Sequence, residues 1–339
     1  MTATTIIAEA LSDTVRRPQR VVLIGGSGHL GTVLARHFHQ HRNDVCVLAR
    51  TTFSAPWRVV AWNGRELGEW AETLDGADVV INLAGRSVDC RYTRRNRIAI
   101  LESRIQSTKL VGEAIQSILT PPKVWLNAST ATIYRNATDR AMDEETGELG
   151  GTEVGVPDSW RFSIEVATRW EETLFAAKTP STRKVALRSA MTMSPDRGGA
   201  FDVLLRLVRV GLGGSLGSGQ QYVSWIHETD FVRAIEFLTA NEKIEGVVNV
   251  ASPNPVTNVE FMKTLREAWG IRLGLPSTER MLEIGAFLLR TETELILKSR
   301  RVVPGRLFRE GFTFAFPDWN NAAAELVNRW REMNHRKED

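Results

Sequence analysis

From Arg20 onward, short apolar runs alternate with longer stretches in which apolar residues recur every three or four positions. Residues 20–24 form such a run and pass into glycines. Beyond them Leu30, Val33, Leu34 and Phe38 recur at the spacing of one helix face. Residues 44–49 (DVCVLA), 58–62 and 78–83 (DVVINL) read as the second, third and fourth strands. A long helix follows, with Ile98, Leu101, Ile105, Val111, Ile115 and Ile118 on or near one face, and Pro121-Pro122 stop it. Residues 123–128 (KVWLNA) are the fifth strand. Residues 135–158 are polar, acidic and glycine-rich, a long loop of the kind that is usually functional or mobile. A helix over 160–177, strands over 185–187 and 247–251, and helices over 229–240 and 258–269 complete the pattern. Continuous apolar strands separated by helices predict a parallel sheet covered on both faces, a doubly wound α/β fold of the Rossmann type.

The first strand ends in VVLIGGSGHLG. Gly26, Gly28 and Gly31 satisfy G-x-G-x-x-G, and Gly25, Gly28 and Gly31 satisfy G-x-x-G-x-x-G. A dinucleotide needs glycine there for a tight turn, for backbone approach to the pyrophosphate and for close helix–strand packing. The helix N-terminus then meets the phosphate charge. A strand before the motif and an amphipathic helix after it make the pattern specific. The second strand ends in Arg50, where a carboxylate would bind the ribose hydroxyls of NAD. An arginine suits the 2′-phosphate of NADP; read blandly, it is a surface cation. Leu83, Ala84 and Gly85 close the fourth strand at the same edge, either to let an adenosine pass or as ordinary turn residues. The predicted organisation is a tail over 1–18 and an NAD(P)-binding Rossmann domain over 19–190, whose core continues through 225–252. A smaller substrate lobe spans 191–335 and includes a small C-terminal domain from about 276.

Charge refines this picture little. Lys and Arg number 43 against 40 Asp and Glu, a field too weak to argue for nucleic acid. The local cluster Arg86, Arg91, Arg94, Arg95 and Arg97 reads as a solvated helix start or a phosphate-attracting rim. Two cysteines and no metal-ligand spacing argue against a disulfide framework or a metal site, and point to a reducing cytoplasm. No apolar run reaches the length of a membrane span. A small-molecule partner is expected, and a homodimer is compatible with the sequence.

Over nearly the whole chain after residue 20 the sequence resembles an atypical extended short-chain dehydrogenase/reductase, of the epimerase-like family that carries a cell-division-inhibitor name. IGGSGHLG is similar to that family's TGGTGFIG, VVINLAG to its VINLAG, and LRSAMTMSPDRGGA to LRTGIVLSPDGGAL. GLGGSLGSGQQYVSWIHETD and VASPNPVTNVEF resemble GLGGPLGSGRQWMSWIHIDD and APNPVTNAEF, and KSRRVVPGRLFREGFTF resembles the family's small C-terminal domain. The resemblance implies NADP (NADPH) as cofactor. It places Gly25, Ser27, Gly28, His29, Leu30 and Gly31 at the pyrophosphate, Arg50 at the 2′-phosphate, Trp62 and Asn63 beside adenine, Leu83–Gly85 along the adenosine and Met191 near the nicotinamide.

Short-chain dehydrogenases use a Tyr-x-x-x-Lys pair on one helix face, with the lysine tuning the phenol as general acid or base. None of the three tyrosines here has a lysine four residues on, and the two positions hold Ser163 and Ala167. What remains is Ser129, which resembles the hydroxyl that polarises a carbonyl, then Tyr134, and His227 in WIHETD. His227 either relays protons or caps the helix beginning near Asp230. Tyr134 is followed by Arg135 where the family has glycine, and His29 stands for its Phe or Tyr. Trp225 reads as packing or as a substrate platform, and the glycine run 211–219 as a lid or a plain loop. Three functions follow: an NADP-dependent oxidoreductase on a small substrate, an NADP-binding regulator with little turnover, or a nucleotide-sugar epimerase or dehydratase.

Overall fold

In the computed structural model, residues 17–277 and 294–335 are described here, so the predicted tail falls almost wholly outside them. Strand β1 (Arg20–Ile24) leads into helix α1 (His29–Gln40), and β2 (Asp44–Ala49) and β3 (Arg58–Ala61) follow. After β4 (Val79–Asn82) comes α2 (Arg94–Ser117), then β5 (Val124–Thr130), a 3-10 turn over Ala131–Ile133, and α3 (Asp158–Ala176). Next come β6 (Arg183–Ser189), β7 (Met191–Met193), α4 (Ala200–Arg209), β8 (Tyr222–Val223) and β9 (Trp225–His227). The chain continues through α5 (Glu228–Ala240), β10 (Gly246–Val250), β11 (Val256–Thr257) and α6 (Asn258–Trp269), and ends in α7 (Glu294–Leu297), α8 (Gly305–Arg309) and α9 (Trp319–His335).

Seven strands form one sheet in the order β10-β6-β5-β4-β1-β2-β3, every pair parallel. This is the expected doubly wound arrangement. Successive residues of β1 face opposite ways: Val21 and Leu23 join a core with Phe38 of α1 and Phe231 and Ile235 of α5. Val22 and Ile24 join Val111 and Ile115 of α2, Trp125 of β5 and Leu174 of α3. With both faces covered, the strands must be apolar throughout, which is why they read as unbroken runs. Strand order reverses between β1 and β4, the crevice where open α/β sheets bind ligands.

A third core lies apart from the two that cover the sheet. Phe201 and Leu205 of α4, Phe261 and Leu265 of α6, and Trp319 and Leu326 of α9 pack together, with the Phe261 and Trp319 rings stacked at 4.0 Å. Helix α4 was not predicted. Trp225 belongs to this core, fully buried, its ring nitrogen donating to the Asn254 carbonyl, so it packs rather than offering a platform. The glycine run is neither a free lid nor a free loop: the Gly214 and Gly217 amides donate to the Leu275 and Ser277 carbonyls, and the Leu275 amide donates to Gly211. The long loop is likewise stitched down. The Glu144 carboxylate accepts the amides of Asn249 and Arg306, and the Met142 amide donates to Arg301. Arg135 holds Asp139 and Glu148, which is how a side chain is accommodated where a glycine was expected.

Candidate functional site

The glycine turn is shaped by close approaches. Gly25 has φ +73°, and a Cβ there would lie 2.7 Å from the Ala84 Cα at the end of β4. At Gly31 a Cβ would lie 2.4 Å from the Gly26 Cα, so α1 packs on the turn only because both residues are glycine. Gly28 is different. It is the N-cap of α1, no side chain caps the helix, and a Cβ there would have nothing nearer than the Gly25 carbonyl oxygen at 3.7 Å. The amides of the first helical turn therefore open onto free space beside Ser27 and Gly28, both exposed. That cradle fits a pyrophosphate. Leu30 lies partly buried against the core; the His29 ring packs on Gly199 before α4, so near that a Cβ there would come within 2.6 Å of it.

The β4 edge is tied to this turn. The Leu83 amide donates to Ile24, and the Ala84 amide to the Asn82 carboxamide oxygen. Asn82 donates to Asn127 on β5 at 2.7 Å, and Thr108 accepts from the Trp170 ring nitrogen of α3. A buried polar layer so fixes the Ala84-Gly85 bend from below. Arg50 stands exposed at the end of β2, and no hydrogen bond or ion pair to it is found among the described residues. Trp62 is buried edge-on against Trp70. Asn63 has its side chain on Glu66 and on the Arg65 amide, so its carboxamide is engaged within its own turn. Met191 opens β7, half-buried against the lobe core, its amide bonded to the Ser224 carbonyl.

The three residues read as catalytic from the sequence have other partners. Ser129 is buried and donates to Glu171 of α3 at 2.6 Å. Glu171 in turn takes a bidentate pair of bonds from Arg188 of β6, at 2.9 and 2.8 Å. Tyr134 is buried too: its hydroxyl accepts from Arg188 and donates to Asn249 of β10, both at 2.9 Å, and burial raises the phenol above its ordinary range despite the arginine. His227 has no exposed surface; its Nδ1 accepts from the Thr229 amide at the start of α5, and its Nε2 meets Glu325 of α9 at 2.9 Å. Stacked on Phe316 at 4.0 Å, it is a helix cap and lobe fastener. Tyr134 and His227 are thus both buried with their polar atoms engaged by protein partners. For Ser129 the cause is strand alternation: its neighbour Thr130 takes the opposite face of β5, half-buried at the carboxyl edge.

Helix α3 carries Ser163 and Ala167 one turn apart, with Ala167 sealed against Ala131, Tyr134 and Ala190. The polar groups around Ser163 come from elsewhere. Its hydroxyl donates to the Glu294 carboxylate of α7, and the Tyr92 hydroxyl lies 3.4 Å away. Lys298, only 2% exposed, donates to the Thr132 carbonyl at 2.7 Å; burial, with Arg300 beside it, lowers its pKa to about 8 against the pull of Glu294 and Glu153. Arg300 donates to the Thr132 hydroxyl at 3.2 Å. Lys298 and Arg300 open the KSRRVVPGRLFREGFTF stretch that carried the C-terminal resemblance, though neither was given a role there, and no sequence reading pointed to Glu294.

Residues 21–251 match the model of the NAD dependent epimerase/dehydratase family. The chain belongs to that family. Residues 279–326 match a domain of unknown function, DUF1731, which gives the C-terminal segment a family of its own. The human epimerase family protein SDR39U1 is 30% identical over 313 residues, covering 91% of this chain and 99% of the relative. The crystal structure of that human protein (isoform 2), with NADPH, superposes with a TM-score of 0.79 at 28% identity, over 91% of this chain and 99% of that one. A nucleoside-diphosphate sugar epimerase from Corynebacterium glutamicum gives a TM-score of 0.71 at 25% identity, over 94% of this chain and 62% of that one. These relatives carry the epimerase name; the cell-division-inhibitor name expected from the resemblance finds no support among them. No helix among the described residues is long and apolar enough to cross a membrane.

Proposed function

We propose that the protein is an NADP(H)-binding oxidoreductase of the extended short-chain class, acting on a small carbonyl or alcohol. The observation that carries the reading is the uncapped N-terminus of α1 at Gly28, opening beside Arg50 at the sheet's switch point. The pyrophosphate sits on the first-turn amides of α1, and Arg50 takes the 2′-phosphate. Leu83, Ala84 and Gly85 line the adenosine, and Met191 stands toward the nicotinamide. Bound there, the cofactor would supply or accept a hydride; the chain's part is to hold it, exclude water and handle the proton. That the human relative was crystallised with NADPH supports the cofactor. A second reading, a cofactor-binding regulator with little turnover, is favoured by Ala167, which brings no amine to α3.

The direct test is Gly28→Val. The extended backbone of this position (φ −76°, ψ 173°) accepts valine, and a Cβ there meets only the Gly25 carbonyl oxygen at an ordinary 3.7 Å, so folding should be retained while the space for phosphate is filled. NADPH should raise the Tm of the wild type by mass action and leave that of the variant unchanged. A variant that gains stability from NADPH like the wild type would show that the turn is not the site.

A further inference from the structure

The side chains that crowd Ser163 come from two separate parts of the chain, and neither belongs to the usual helix pair. Tyr92 lies in the segment before α2, its ring edge-on to Phe162 of α3 at 5.1 Å. Its hydroxyl stands 3.4 Å from the Ser163 hydroxyl, a loose contact of the kind that tightens when a substrate arrives. Ser163 donates to Glu294, 131 positions away in sequence and almost wholly buried. Arg300 lies 3.8 Å from the other Glu294 oxygen and bonds the Thr132 hydroxyl, two residues beyond Thr130 at the carboxyl edge of β5. A phenol, a hydroxyl and a carboxylate therefore meet in a file around the α3 position that usually carries the tyrosine, and the carboxylate end reaches the β5 edge through Arg300. Burying charges such as Glu294 and Arg300 costs several kcal/mol per ion before pairing, more than an apolar anchor for the C-terminal segment would.

We infer that Tyr92 is the catalytic hydroxyl of this chain and that Ser163 and Glu294 are positioning residues that refill it, so that the acid–base task lost from α3 is rebuilt from the α2 approach and the C-terminal segment. This rests on the reading of the protein as an oxidoreductase. In carbonyl reduction the substrate oxygen takes the Tyr92 proton, while the carbonyl carbon receives a hydride with its electron pair from NADPH. Ser163, held by Glu294, returns a proton to Tyr92, and the file is recharged from solvent at its half-exposed Tyr92 end once the product leaves. Alcohol oxidation runs the same file backwards with Glu294 as carboxylate, the polarity in which Ser163 stands here.

Two measurements test it. The chain has only three tyrosines, Tyr92, Tyr134 and Tyr222, so ring-labelled tyrosine gives three resolvable NMR signals in the full chain without cofactor. Ser163→Ala and Glu294→Gln should each move the Tyr92 signal and leave Tyr134 in place; a Tyr92 signal indifferent to both overturns the file. With 9,10-phenanthrenequinone as carbonyl probe, Tyr92→Phe should lower kcat for NADPH oxidation about 100-fold at unchanged NADPH Kd. Ser163→Ala should lower it less, and Glu294→Gln should alter its pH profile. Tyr92→Phe turning over like the wild type, or a wild type that binds NADPH and reduces no quinone, overturns the inference alone. A wild type that fails to bind NADPH overturns the cofactor reading with it.

Discussion

The same carboxyl edge of one sheet is built in two ways. At β1 the turn is built from backbone: glycines remove side chains so that the first-turn amides face open space, and the glycines that do this lie in one short segment. At β5 it is carried by side chains from far apart in sequence, Tyr134 with Asn249 at 115 positions and Ser163 with Glu294 at 131. The first kind of site tolerates a change in the groups around it, because its donors are fixed by helix geometry. The second depends on every partner being present, since an unpaired buried charge is far more costly than the pair is favourable.

The largest effect should come from the Glu171–Arg188 pair, which is nearly closed to solvent. Arg188→Leu should lower unfolding free energy by about 3–5 kcal/mol in urea titrations, leaving Glu171 and the Tyr134 hydroxyl short of a partner. Adding Glu171→Leu should recover much of the loss, and a double variant as unstable as the sum of the singles would show the pair is not coupled. NADPH affinity of the folded protein should change little in either case, which separates the β5 network from the β1 turn.

Next is Lys298, whose pKa falls to about 8 in the folded chain against about 10.4 unfolded. Below pH 8 both states hold the proton and the folded protein bears a buried ammonium. Between pH 8 and about 10.4 the unfolded chain binds more protons, so this residue's contribution to stability rises with pH there. Over that window the gain is about 3 kcal/mol. Lys298→Met should remove that rise and be the more stable protein at pH 7; identical slopes for the two would mean the ammonium is not desolvated.

This contrast also decides what could be read in advance. The strands were legible because burial on both faces makes them unbroken apolar runs, and the turn because three glycines at fixed offsets have one geometric use. Helix α4 was missed: a strand-like MTM and a glycine-rich flank hide its single apolar face. Ser129 was chosen over Thr130 by resemblance, although the two must face opposite ways on β5. His227 carried two readings; the capping bond from the Thr229 amide is local, but its Glu325 partner lies 98 residues on, beyond the reach of sequence spacing. Lys298 and Arg300 fell within the family-like KSRRVVPGRLFREGFTF stretch without a role, and Glu294 gave no signal, because a buried charge is recognisable only by what it meets.

The central claim is that an NADP(H) site is formed by the α1 N-terminus with Arg50 at its rim, and cofactor selectivity tests it most directly. NADPH and NADH should be titrated by fluorescence into the wild type and Arg50→Ala. One charge-assisted contact to phosphate contributes about 1.5–3 kcal/mol, so the wild type should bind NADPH roughly tenfold to a hundredfold more tightly than NADH. Arg50→Ala should lose that preference by weakening NADPH alone. Equal affinities in the wild type, or a preference that survives Arg50→Ala, would contradict the account.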